Sequence, residues 1–201
     1  MKVSKKKAVR YYPETPEYDR LVNADGEIKN YRQAFPLLLK AAREGYSHAQ
    51  NLVGYCYFNG IGTTRNDKIA TAWFAKAAKQ NHIVAIGNLA LHYEQGEGIK
   101  RDLRAAARFY LKAALKGLPW AQCNLGIMYS DGIGVRRDDR HAVHWFKASA
   151  QRGDDKGQYN LALAYLYGEG VRKNPKLAKR WFREAAKAGH RKAKAELKEM
   201  K

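Results

Sequence analysis

The side chains of this sequence whose types and spacing could do chemistry are mostly cations. Arg65, Arg101, Arg137 and Lys173 recur at a constant step of 36 residues, and Lys68, Arg104, Arg140 and Lys176 recur at the same step. A third column begins at Thr64 and continues with Lys100, Arg136 and Arg172. Positive charges repeated at a fixed interval can neutralise phosphates or carboxylates and steer a polyanion toward the molecule. They do not by themselves make or break a bond. No Ser/His/Asp or Cys/His set repeats or clusters in a way that points to a nucleophile, so no enzyme is expected. His141 and His144 stand i, i+3, a spacing a metal uses on a helix, but a third ligand is lacking and no metal site is expected. The Gly-x-Gly pairs have no strand before them and no third glycine, which excludes a dinucleotide fingerprint and leaves no cofactor implied.

The elements that must position these cations are themselves repeated. The glycine pairs Gly60/Gly62, Gly96/Gly98, Gly132/Gly134 and Gly168/Gly170 follow the same 36-residue step. Tyr57, Tyr93, Tyr129 and Tyr165 each stand three before a pair, and Trp73, Phe109, Trp145 and Trp181 follow. A fixed period in this range means stacked supersecondary units. The clearest unit, Ala121 to Lys156, reads as two helices. The first, around Ala121 to Ser130, carries Leu125 and Tyr129 and ends at Asp131-Gly132-Ile133-Gly134, where glycine supplies positive φ. The second starts at the N-cap Asp138, in one column with Asn66, Asp102 and Asn174, and ends at Gly153, in one column with Asn81, Gly117 and Gly189. Periodicity assigns Trp73, Phe109, Trp145 and Trp181 to the core. Asn88, Asn124 and Asn160 form a column read as structural hydrogen bonds.

Residues 121–153 resemble the Sel1-like repeat, a relative of the tetratricopeptide repeat, at nearly every position of A-x-x-x-L-G-x-x-Y-x-x-G-x-G-V-x-x-D-x-x-x-A-x-x-W-x-x-K-A-A-x-x-G. They depart from it at Ala148-Ser149. Residues 85–117, 157–189 and 49–81 resemble it too, the last with Thr63 for Val and Asn81 for Gly. The resemblance implies an all-α, right-handed α-solenoid of helix-pair repeats that scaffolds protein–protein contacts. It also implies that the first helices line a concave face. There the column Asn59, Gln95, Asp131, Tyr167 and the column of His92 and Met128 differ freely between repeats, as a recognition surface does.

Residues 1–15 are expected to be a flexible basic tail, and 16–201 a single solenoid. Its degenerate N-terminal unit is 17–47, its four full repeats span about 48–190, and a capping helix covers 191–201. In the N-terminal unit a short first helix is expected near Tyr18 to Val22, and Pro36 predicts a kink or a late start in the second.

Composition bounds the setting. The formal net charge is +19, from 38 Lys and Arg against 19 Asp and Glu, which predicts an acidic protein partner or, as the alternative, a nucleic acid. The two cysteines, Cys56 and Cys123, occupy different columns and read as reduced thiols. With no signal-type apolar segment and no membrane-length apolar run, the cytoplasm is expected. The functional expectation is a non-enzymatic adaptor with no small-molecule substrate, holding its partner on the cationic edge or the concave face.

Overall fold

A computed structural model of the chain describes residues 30–200. The expected basic tail and the short helix near Tyr18 to Val22 lie outside the described residues. Among the described residues there are ten α-helices and no strand. They are α1 Tyr31–Arg43, α2 Ser47–Asn59, α3 Asp67–Lys79, α4 Ile83–Gln95, α5 Leu103–Leu115, α6 Pro119–Asp131, α7 Asp139–Gln151, α8 Asp155–Tyr167, α9 Pro175–Lys187 and α10 Arg191–Glu199. This is a solenoid-type succession of helix pairs, as the period requires. The described residues up to Ala85, with Gly96–Lys100, form one compact unit; Ile86–Gln95, with the residues from Arg101 on, form the second.

The helix starts follow from one residue type. Asn30, Asn66, Asp102, Asp138 and Asn174 each sit just before a second helix, and each side-chain oxygen accepts the backbone N–H three residues on, at 2.9–3.2 Å. Each such cap is worth about 1 kcal/mol. The same helices stop alike. Gly45, Asn81, Gly117, Gly153 and Gly189 take positive φ, and the N–H of the next residue reaches back to Ala41, Ala77, Ala113, Ser149 or Ala185. This is a Schellman closure. Pro36 does not delay α1, which begins on schedule at Tyr31. The cap at Asn30 and the burial of Phe35 and Leu38 on either side of the proline hold the helix through the missing N–H.

Packing departs from the expected core in one respect. Trp145 is buried, but Trp73, Phe109 and Trp181 are only half-buried. The rings most deeply enclosed are those one residue later: Phe74, Tyr110 and Phe182 at 2% exposure or less, and Phe146 at 6%. One residue turns a helix by about 100°, so the Trp column lies at the core margin while the next position points into the small residue of the first helix. A Cβ on Gly54 would stand 2.7 Å from the Phe74 ring, and one on Gly126 would stand 2.6 Å from that of Phe146. Those first helices carry glycine because the ring fills the space of a side chain.

The second glycine of each pair makes a different contact. Gly134 rests on the main chain of Leu103 and Arg104, and Gly170 on that of Asp139 and Arg140; a Cβ at either would collide with the carbonyl of Leu103 or Asp139. Within the first unit, Gly62 meets Tyr31, Arg32 and Phe35, and Gly98 meets Asp67 and Lys68. Each loop is thereby seated on the first turn of the preceding second helix.

Candidate functional site

The cationic columns flank the Asx caps. Arg136 and Arg137 directly precede Asp138, and Arg140 follows it by two, on the face opposite Ala142, Phe146 and Ser149, which are buried. The same placement leaves all eleven residues exposed: Arg65, Lys68, Lys100, Arg101, Arg104, Arg136, Arg137, Arg140, Arg172, Lys173 and Lys176. The glycine contacts bring the rungs together within each unit. Gly134 lays the loop of Arg136 and Arg137 on the turn that carries Arg104, and Gly170 lays that of Arg172 and Lys173 on the turn that carries Arg140. In the first unit, Gly98 lays the loop of Lys100 on the turn that carries Lys68.

The rungs are not equivalent. Arg65 forks onto Asp67 at 2.9 and 3.1 Å and approaches Glu97 at 3.8 Å. Arg137 forks onto Asp139 at 3.1 and 3.2 Å. Arg101 donates from Nε to the Glu94 carbonyl at 2.9 Å. The other eight make no ion pair among the described residues. The charge available to a partner is therefore concentrated on Lys68, Lys100, Arg104, Arg136, Arg140, Arg172, Lys173 and Lys176.

The two first-helix columns part company. Asn59, Gln95, Asp131 and Tyr167, each the last residue of its helix, are exposed, Tyr167 by 63%. Asp131 lines a groove of about 270 Å³ with Ser130, Asp139, Asn160 and Glu169. His92 and Met128 are each 1% exposed, so they are core residues and do not reach a partner. The signal was in the sequence. Ala121, Leu125 and Met128 stand i, i+4, i+7, as do Ala85, Leu89 and His92, and that spacing is a buried stripe.

The polar columns serve the fold. Asn124 donates to the Tyr110 hydroxyl at 3.1 Å, and Asn160 to the Cys123 sulfur at 3.5 Å. A column that sequence reasoning passed over does the same. Buried Gln50, Gln122 and Gln158 donate to the Ala42, Ala114 and Ala150 carbonyls at the ends of the preceding second helices. Each adds a second hydrogen bond to a carbonyl of the last turn that already accepts the N–H of Gly45, Gly117 or Gly153, and so ties the next helix to that closure.

Groups with catalytic potential are occupied elsewhere. Cys56 and Cys123 are unpaired and buried, and desolvation pushes their thiols up to about 11 and about 12, away from the reactive thiolate. His141 pairs through Nδ1 with Asp138 at 2.8 Å, while the His144 ring meets Trp145 edge-on. Among the described residues no three His, Cys, Asp or Glu side chains could together hold a metal. None of the described helices is long and apolar enough to cross a membrane.

Comparison with known proteins agrees with this architecture. The Sel1 repeat matches residues 23–46, 47–82, 83–118, 121–154 and 155–190. A Sel1 repeat protein from Oxalobacter formigenes is similar in structure, with a TM-score of 0.79 at 33% identity over 86% of this chain and 68% of that one. A protective antigen of uropathogenic Escherichia coli strains, displaying an SLR fold, is 42% identical with a TM-score of 0.75, over 77% of this chain and 33% of that one. This chain thus spans about a third of that antigen's length. An immunity protein from Pseudomonas aeruginosa shares the fold at 19% identity and a TM-score of 0.58. No curated protein matches the sequence.

Proposed function

The chain belongs to the Sel1 repeat family, and from that premise we propose that it is a cytoplasmic, non-enzymatic adaptor that captures an acidic partner protein on its cationic edge. Sel1 repeats are generally protein-interaction scaffolds rather than enzymes. The observation that carries the reading is the unequal pairing along the edge: eight of its eleven cations stand exposed without an ion pair among the described residues. A cation near a helix N-terminus is slightly unfavourable to the helix, so its repetition there supports an external counter-charge. Asn59, Gln95, Asp131 and Tyr167, exposed and different in every repeat, supply polar and aromatic contacts that tell one partner from another.

The test is charge reversal at Arg104, Arg136 and Arg140 together. Capture of an acidic protein at low salt is expected to lose most of its association rate while dissociation changes little, because long-range attraction acts on encounter. If the variant instead loses nucleic acid that copurifies with the parent, the alternative of a nucleic-acid-binding edge replaces this one. If neither changes, the edge is merely solvated.

A further inference from the structure

One second helix differs from its counterparts. On α5, Arg104, Arg108, Leu111 and Leu115 stand i, i+4, i+7, i+11, a spacing that sets them on one face. All four are exposed, Leu111 by 36% and Leu115 by 71%. In the place of Leu115 the other second helices carry Arg43, Lys79, Gln151 and Lys187. In the place of Leu111 the two later repeats carry Lys147 and Arg183. A leucine left in water at a position where every sibling is polar contributes nothing to the stack.

A groove of about 410 Å³ opens beside this face, lined by Arg104, Arg108 and Leu111 of α5, by Leu125 and Tyr129 of α6, and by Val135 of the following loop. Arg104 and Arg108 make no ion pair among the described residues, and Arg136 follows directly on Val135. The lining carboxylate, Asp102, is committed to capping the Ala105 N–H. One end of the surface is therefore cationic and the other aliphatic.

We propose that this groove, together with the exposed face of α5 that continues from it to Leu115, docks a short acidic segment of a partner protein that carries a bulky apolar side chain, with its carboxylates on Arg104 and Arg108 in the groove and its apolar group on Leu111 and, beyond the groove lining, Leu115. The inference rests on the adaptor reading and deepens it. Charge complementarity selects the occupant: a second copy of a chain of net charge +19 is repelled. A nucleic acid has no use for two aliphatic side chains, and the Tyr129 ring is already stacked on His141 at 5.2 Å, so it offers no platform for a base.

The test is fluorescence anisotropy with two labelled peptides of about twelve residues. One has an acidic half followed by a half bearing leucine and phenylalanine; in the other those apolar residues are serine. The full chain is expected to bind the first about tenfold or more tighter, the worth of one buried leucine. Leu115→Ser should erase that preference while leaving the serine peptide's affinity unchanged. Leu115→Gln, the residue that a sibling helix carries at Gln151, should do the same without adding charge, which guards against a folding defect. Arg104→Glu combined with Arg108→Glu should weaken both peptides. Equal affinity for the two peptides, a preference that survives Leu115→Ser, or no binding of either overturns the proposal. So does a duplex oligonucleotide that binds more tightly than the apolar peptide and is insensitive to Leu115→Ser. Binding of both peptides alike, lost on charge reversal at Arg136 and Arg140, would sink the groove yet leave the adaptor reading standing.

Discussion

Tyr110 stands where the other full repeats carry Phe74, Phe146 and Phe182, and its hydroxyl is put to use. It donates to Glu94 Oε2 at 2.7 Å and accepts from Asn124 Nδ2 at 3.1 Å, and burial first, then Glu94, raises its ionisation far above the ordinary value. Tyr110→Phe would strand both partners, so it should cost about 1–3 kcal/mol, read as a lower denaturant midpoint at unchanged slope. An unchanged midpoint would mean that water replaces the hydroxyl without loss. The sequence showed an asparagine column but not these bonds, because the partners, a hydroxyl in one repeat and a sulfur in another, arrive from other helices. The Asx caps were legible because their partner is always three residues along the same chain. His48 and His82 give a second residue-scale expectation. Ala85 N–H donates to His82 Nδ1, so the His82 proton sits on Nε2, facing His48 Nδ1 at 3.1 Å, and both rings are neutral. Desolvation, and then His82, bring His48 down to about 4; desolvation also lowers His82. A folded state that binds protons less readily than the unfolded chain keeps this stability above about pH 6.5, the ordinary histidine value. It loses it as pH falls toward 4. His82→Asn keeps a capping oxygen, so its melting temperature should fall less than the parent's over that window. Parallel acid profiles would refute the idea.

At the scale of the element, the glycines fall into two kinds that sequence alone merged. Gly153 takes φ +85° with nothing within 4 Å of a built Cβ, and Asn81 fills the equivalent place at φ +63°. Gly134 takes φ +69° against the carbonyl of Leu103. Gly153→Ala should therefore cost only the left-handed conformation, about 1–2 kcal/mol. Gly134→Ala should cost that plus the strain of moving a backbone, about 1–3 kcal/mol more. Equal losses in thermal or chemical unfolding would show that the loop lifts off freely. Positive φ could be foreseen from glycine placement; a close approach between repeats could not, because it depends on how one unit sits on the next. The same limit explains the aromatic column. Its 36-residue spacing marked the Trp, whereas the depth of the adjacent ring is set by a glycine or alanine on another helix.

For the molecule as a whole, a formal charge of +19 says nothing about fold and a good deal about company. If the edge meets phosphates, affinity should fall with salt at a log–log slope of about −0.9 per contact on duplex, and reversing Arg104, Arg136 and Arg140 should flatten it for every sequence alike. If it meets an acidic protein, duplex binding at physiological salt should be weak in parent and variant. Arg101 and Arg137 make poorer probes than their column suggested, since one is tied to a carbonyl and the other to Asp139. The contact of Gly134 and Gly170 with the preceding helix touches main chain, and main chain is the same whatever residues a gene specifies there. A duplicated block of one period would thus arrive with its docking face ready-made, and the cations around that contact could drift under selection for new company without loosening the joint between repeats.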